Sequence, residues 1–131
     1  MLTSMKAPSL EEIESIAEAA LNTVPKELLA HMDGLVIRVA DFPDKDIVRE
    51  LKLQSPFDLL GLYQGVSIDQ KSISATPADV DMIFLYRRPI LDYWGESGEE
   101  LNHLVRHVLI HEIGHHFGLS DADMERIEGA S

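Results

Sequence analysis

The residues best suited to chemistry are two histidines and a glutamate near the C-terminus. His111, Glu112 and His115 form the pattern H-E-x-x-H. Residues four apart on a helix lie about 40° apart around its axis and roughly 6 Å apart along it, so both imidazoles can reach one ion. Neutral imidazole nitrogen suits Zn²⁺. The carboxylate of Glu112 then lies beside the metal, within reach of a water there, and this makes Glu112 a candidate general base.

A third metal ligand is expected after a glycine turn. The pattern continues as H-E-x-x-H-x-x-G-x-x-D, with Gly118 and Asp121 at the last two fixed positions. Glycine permits the positive φ that reverses the chain, and the reversal can bring Asp121 back towards the ion. Carboxylate oxygen is an acceptable zinc ligand, so the sequence predicts His111, His115 and Asp121 as the ligand set. The alternative is that Asp121 only complements the dipole of a following helix.

The other histidines are less suited to bind this ion. His103 and His107 continue the spacing of four towards the N-terminus. Each step of four rotates the helix face by about 40°, which excludes His103 from an ion held by His115. His107 lacks a following glutamate and glycine turn, so we expect it beside a ligand or partly buried. His116 lies off the ligand face, and His31 has no partner nearby in sequence.

One helix should carry the motif. Ser97-Gly98-Glu99-Glu100 has the form of a capping box. The sequence predicts a helix from about residue 98 to Phe117, with Gly118 as its left-handed stop and a last short helix from Ser120 through Arg126. The apolar positions expected to face the core recur at helical spacing: Leu101, Leu104, Val105, Val108 and Leu109.

The rest of the chain indicates an α+β domain. Ser9-Leu10-Glu11-Glu12 is a capping box that opens an N-terminal helix. The remaining predicted elements are a helix over 26–32, a strand over 35–40, a helix within 44–53, a strand over 61–66, an exposed loop over 69–77 and a strand over 81–86 that Pro89 ends. This order predicts one domain over residues 1–131, in which a small sheet packs on helices.

Composition excludes several classes of protein. The chain has no cysteine and carries a net charge of −12. An acidic surface repels phosphate backbones, which argues against a nucleic-acid partner. No apolar run approaches the roughly 18 residues that span a bilayer. The lack of cysteine and of a secretory signal favours a cytoplasmic protein.

The segment HEIGHHFGLSD, with FLYRRPILD and GLYQGVSI before it, resembles the bacterial minimal zincins. The resemblance covers about Leu35 to Glu128 and leaves out the first 30 residues. It implies a compact zincin-like fold with a small mixed sheet, zinc ligands at His111, His115 and Asp121, and Glu112 as the catalytic residue. By analogy with larger zincins, the strand around 83–86 is expected to be an edge strand that pairs with a peptide substrate.

The leading functional hypothesis is a zinc-dependent hydrolase of peptide bonds that acts on short or unfolded peptides. Zinc and one further donor would stabilise the oxyanion, and Tyr86, Tyr93 and Arg87 are the candidate donors. One alternative is a non-catalytic domain that zinc stabilises for binding a protein partner. Another is a zinc hydrolase of a non-peptide substrate. The sequence leaves the oligomeric state open.

Overall fold

The computed structural model describes residues 7–26, 35–64 and 81–129, without the side chains of residues 115–117 and 121. The predicted helix over 26–32 (beyond Lys26), His31 and the predicted loop over 69–77 therefore lie outside the described residues. A short 3-10 helix spans Pro56–Asp58. The other described elements are α1 (Leu10–Leu21), β1 (Val36–Ala40), α2 (Lys45–Glu50), β2 (Gly61–Gln64), β3 (Met82–Tyr86), α3 (Arg87–Ser97), α4 (Leu101–Phe117) and α5 (Asp121–Gly129).

The three strands form a mixed sheet in the order β1-β3-β2. Strand β3 runs parallel to β1, with Ile37 opposite Ile83, and antiparallel to β2, with Tyr63 opposite Ile83. The expectation that the strand around 83–86 is an edge strand is therefore wrong. Its side chains at 83, 85 and 86 are buried, and a strand so apolar is best placed between two neighbours. Among the described strands, β1 and β2 form the edges.

The core lies between one face of the sheet and the helices α1 and α4. The predicted apolar stripe of α4 is confirmed, since four of its five positions are buried and Leu101 packs at the margin. Full burial of each aliphatic side chain contributes about 1.5–3 kcal/mol, so this contact fixes how α4 is rotated. The largest fully buried side chains include Ile13, Ile83, Leu85, Ile90, Leu104, Leu109, Ile110, Ile113 and Met124.

The N-terminal capping box is present as predicted. The hydroxyl of Ser9 accepts from the amide of Glu12 at 3.1 Å, and the Glu12 carboxylate accepts from the amide of Ser9 at 3.2 Å. Helix α1 then buries Ile13, Ala17 and Ala20. Its apolar spacing matches the sequence pattern, and the helix forms one wall of the core.

The second predicted capping box is wrong. Ser97 is the last residue of α3, and Gly98 ends that helix with φ 73°, donating to the carbonyl of Trp94 at 3.2 Å. The Ser97 hydroxyl accepts from the amide of Glu99 at 3.3 Å. Helix α4 consequently begins at Leu101, and the signal read as a helix start belongs to the turn between two helices.

Helix α3 replaces the predicted end of a strand at Pro89. Proline is tolerated in the first turn of a helix, where an amide has no helical partner, and Pro89 lies in the first turn of α3. Tyr86 precedes the helix without capping it through its side chain. The sequence therefore carries no start signal for α3 except the proline.

Candidate metal centre

The last turns of α4 carry the H-E-x-x-H pattern. Ile110 and Ile113 are each only 1% exposed, so they hold this part of the helix against the core. His111 and Glu112 are half-buried, at the border between the core and solvent. His115 belongs to the same helix, one turn further on, and its side chain lies outside the described residues. The motif is thus helical, as its chemistry requires.

Glu112 is bound to the edge of the sheet. Its Oε1 accepts a hydrogen bond at 3.1 Å from the backbone amide of Tyr63, 49 residues away in β2. The amide of Tyr63 therefore points away from β3 and towards α4. Sequence reasoning did not foresee this contact, because the register of a strand against a distant helix leaves no local pattern. It places the predicted base beside an edge strand.

A tight turn follows the motif. Gly118 has φ 68°, which favours glycine, and the amide of Leu119 donates to the carbonyl of Gly114 at 2.9 Å. Helix α5 begins three residues after Gly118, at Asp121. The predicted reversal is confirmed for the backbone. The side chain of Asp121 lies outside the described residues, so its role as a ligand stays a prediction.

Helix α5 packs closely on the motif through Gly114. Met124 is 1% exposed, and a Cβ added to Gly114 would lie 2.7 Å from the Cγ of Met124 and closer still to its sulfur. Only glycine at position 114 permits this approach. The second variable position of the H-E-x-x-H pattern is therefore constrained by packing against α5, which no local sequence pattern predicts.

Gly114→Ala should destabilise the fold by about 1–3 kcal/mol, because an added methyl group overpacks a fully buried contact. Gly95, within α3, is the matched control, since nothing lies within 4 Å of a Cβ added there. Gly95→Ala should stabilise the protein by up to about 1 kcal/mol through helix propensity. Urea denaturation of both variants measures the difference. Equal stabilisation by both substitutions would contradict the packing at Gly114.

Arg106 anchors the far end of α5. Its guanidinium donates to the carbonyls of Glu128 at 2.6 Å and Ile127 at 3.0 Å, and to the hydroxyl of Thr23 at 2.9 Å. The two carbonyls lie at the C-terminal end of the helix dipole, where a cation is favourable. Arg106 thus joins α4, α5 and the turn after α1. With Met124 under Gly114, α5 is held to α4 at both ends.

His107 lies against the metal motif. Its ring centroid is 4.2 Å from that of His111, and its Nδ1 is 2.6 Å from Oε1 of Glu128. His107 thus contacts His111, whose role as a ligand stays a prediction, and its side chain is 46% exposed rather than mostly buried. His103 is also exposed, and the side chain of His116 is not described. Glu128 was not singled out, although it lies two helical turns after Asp121.

The three candidate oxyanion donors differ in their surroundings. Arg87 donates to the carbonyl of Pro8 at 2.7 Å and to Asp41 at 3.1 Å, so its guanidinium holds two loops together. Tyr93 is 45% exposed on α3. Burial raises the pKa of Tyr86 to about 12, and the carboxylates of Asp44 and Glu112 add to the shift. Tyr86 is therefore a neutral donor at pH 7, and the charge of Glu112 acts on its hydroxyl.

These arrangements fit a zinc centre. Two histidines one helical turn apart on α4 carry imidazole nitrogen of the kind that zinc prefers, and the half-buried Glu112 follows the first of them. The imidazole of His111 is half-buried, so only part of the side chain is in contact with solvent. His115 and Asp121 stay predicted ligands, because their side chains lie outside the described residues.

The family model of the zincin-like metallopeptidases matches residues 32–130, and the chain belongs to this family. The resemblance seen in the sequence is thereby confirmed, as are the α+β class and the small mixed sheet. Comparison with curated proteins gives no match. None of the described helices is long and apolar enough to cross a membrane.

Proposed function

We propose that this protein is a zinc-dependent peptidase in which His111, His115 and Asp121 hold the metal and Glu112 is the general base. The observation that carries the proposal is the hydrogen bond from the Tyr63 amide to Glu112. A structural metal site needs no carboxylate held beside the ligands, whereas a hydrolase needs a base fixed in position. The family to which the chain belongs supports the same reaction class.

Glu112 would act on the water that attacks the peptide bond. Zinc, when bound, would polarise the scissile carbonyl and lower the pKa of this water towards about 7. The carboxylate of Glu112 takes the proton from the water and returns it to the leaving amine. The hydroxyl of Tyr86 stays protonated near pH 7, because burial and the carboxylates of Asp44 and Glu112 raise its pKa to about 12. We assign it as the donor to the oxyanion.

Strand β2 takes the place of β3 as the strand that would pair with substrate. Among the described residues, no strand lies on the side of β2 that faces away from β3. An exposed strand edge offers backbone groups to an extended peptide. Because the Tyr63 amide at this edge already donates to Glu112, a peptide laid along β2 would pair through other backbone groups of the strand and would pass beside the base. A short or unfolded peptide suits pairing at a strand edge.

A peptide-library screen on zinc-loaded protein tests the proposal. We expect cleavage that a chelator abolishes and that added zinc restores, because the three ligands leave one coordination position open. Protein that binds zinc, gains stability from it and cleaves no peptide would instead be a non-catalytic zinc domain. Cleavage of an ester or amide that is not a peptide would indicate a zinc hydrolase of a non-peptide substrate.

Purified protein should contain about one zinc per chain, because three ligands on a helix and the adjoining turn form one site. Elemental analysis after mild dialysis measures the content. Native protein that is metal-free and takes up no zinc on titration would contradict the central claim.

A further inference from the structure

We propose that His107, His111 and Glu128 form a second position for a divalent transition-metal ion, one helical turn away from the H-E-x-x-H site. One ligand atom from each of these three side chains lies within 4.8 Å of the other two. The histidines are four residues apart on α4, and the glutamate comes from α5. The ligands thus come from two helices that Arg106 already joins.

The spacing of these atoms is close to what a metal ion needs. In a tetrahedral zinc site with bonds of about 2.0–2.1 Å, ligand atoms lie about 3.3 Å apart. The contact of 2.6 Å between His107 and Glu128 would lengthen, and separations of up to 4.8 Å would shorten. Rotations of the side chains supply such changes without moving the helices. Two imidazoles and a carboxylate suit Zn²⁺, and imidazoles also suit Ni²⁺ and Cu²⁺.

The environment of the three residues also favours an ion. The side chain of His107 is 46% exposed and gives access from solvent, whereas that of Glu128 is 15% exposed. Glu128 is held in place, because its backbone carbonyl accepts from Arg106 at 2.6 Å. A partly buried carboxylate on a fixed helix loses little freedom when it binds a metal. The site is therefore preorganised on one side and open on the other.

The two positions compete for His111. Its ring lies 4.2 Å from that of His107, towards the N-terminus of α4, whereas the peptidase site requires it to join His115, one turn towards the C-terminus. A metal ion held by His107 and Glu128 would thus take one ligand from the peptidase site. This competition rests on the proposed function, whereas the second position itself does not.

Titration of His115→Ala with Zn²⁺, followed by calorimetry, tests the second position in the full chain. This variant removes the H-E-x-x-H pair and keeps all three residues of the second position. We expect it to bind one Zn²⁺ per chain. Adding His107→Ala, or in a separate variant Glu128→Gln, should weaken that binding by at least about ten-fold. His103→Ala in the same background is the control and should leave the affinity unchanged, since His103 is not one of the three ligands.

Two results would overturn the proposal. One is an equal zinc affinity in His115→Ala with and without His107→Ala, which would assign the residual binding to other groups. The other is a loss of affinity with His103→Ala, which would assign it to the pair His103 and His107. If His115→Ala does not fold, the same titrations are carried out in His115→Gln, which keeps the bulk of the side chain. Failure of the proposed function would appear separately, as zinc-loaded wild-type protein that cleaves no peptide in the library screen.

Discussion

Glu112→Gln should reduce peptide cleavage by about 10²–10⁴-fold, the range typical of a positioned general base, while zinc content and fold are retained. Glutamine keeps the Oε1 atom that accepts the hydrogen bond from the Tyr63 amide, so the link between α4 and β2 survives. It removes only the ability to take a proton. The loss should appear in kcat, because the base acts in the transition state rather than in binding.

The control for this variant is Glu125→Gln. Glu125 is exposed on α5 and loses the same charge on substitution, so it should leave cleavage unchanged. Zinc content by elemental analysis and melting temperature complete the comparison. A Glu112→Gln variant that cleaves at the wild-type rate would exclude Glu112 as the base and, with it, the proposed mechanism. If the protein is a non-catalytic zinc domain, neither variant should change any functional measurement.

Asp121→Ala should weaken zinc binding by at least about ten-fold, because one of three protein ligands is lost. The competing explanation is that Asp121 is only an acidic residue in the first turn of α5. That helix already has other residues that stabilise its N-terminus. Ser120 and Asp123 already cap this helix: the amide of Asp123 donates to the Ser120 hydroxyl at 3.1 Å, and the Ser120 amide donates to Asp123 at 3.4 Å. The hydrogen bonds with Ser120 and then Arg126 lower the pKa of Asp123, so its carboxylate is charged.

Asp123→Ala is the matched control, two residues away on the same helix. It removes the Asp123 half of the capping arrangement and should lower the melting temperature while leaving zinc affinity unchanged. Competition with a chromophoric chelator measures the affinity of both variants, and thermal denaturation measures their stability. If Asp121→Ala behaves like Asp123→Ala in both experiments, Asp121 is a helix-start acid and not a ligand.

The elements that sequence reasoning recovered are those with local signals. The capping box at Ser9, the apolar stripe of α4 and the glycine at position 118 each act through residues within a few positions of one another. Strands β1, β2 and β3 were recovered from short apolar runs between turn residues. In each case the physical cause and the sequence pattern occupy the same stretch of chain.

The features that were missed depend on contacts between distant segments or on weak local signals. The central place of β3 follows from pairing with both β1 and β2, which alternation within one strand does not reveal. The hydrogen bond between Glu112 and Tyr63 depends on how a helix docks on a sheet edge. Helix α3 lacks a side-chain cap, and the Ser97 signal pointed to a helix start where a helix ends. The ligand residues themselves were selected by spacing alone.

The proposed metal site depends only on residues close together in the chain. The proposed position of Glu112 also depends on the distant strand β2, through its hydrogen bond with Tyr63. His111 and Asp121, the outermost proposed ligands, enclose a short local loop, whereas this contact spans 49 residues. Loop-closure entropy grows with the logarithm of loop length, which makes the longer closure about 1.4 kcal/mol more costly than a ten-residue one. A chain whose sheet has opened can then retain its zinc while Glu112 is released. Zinc occupancy would therefore overstate the active fraction of a preparation, and that fraction must be counted by turnover.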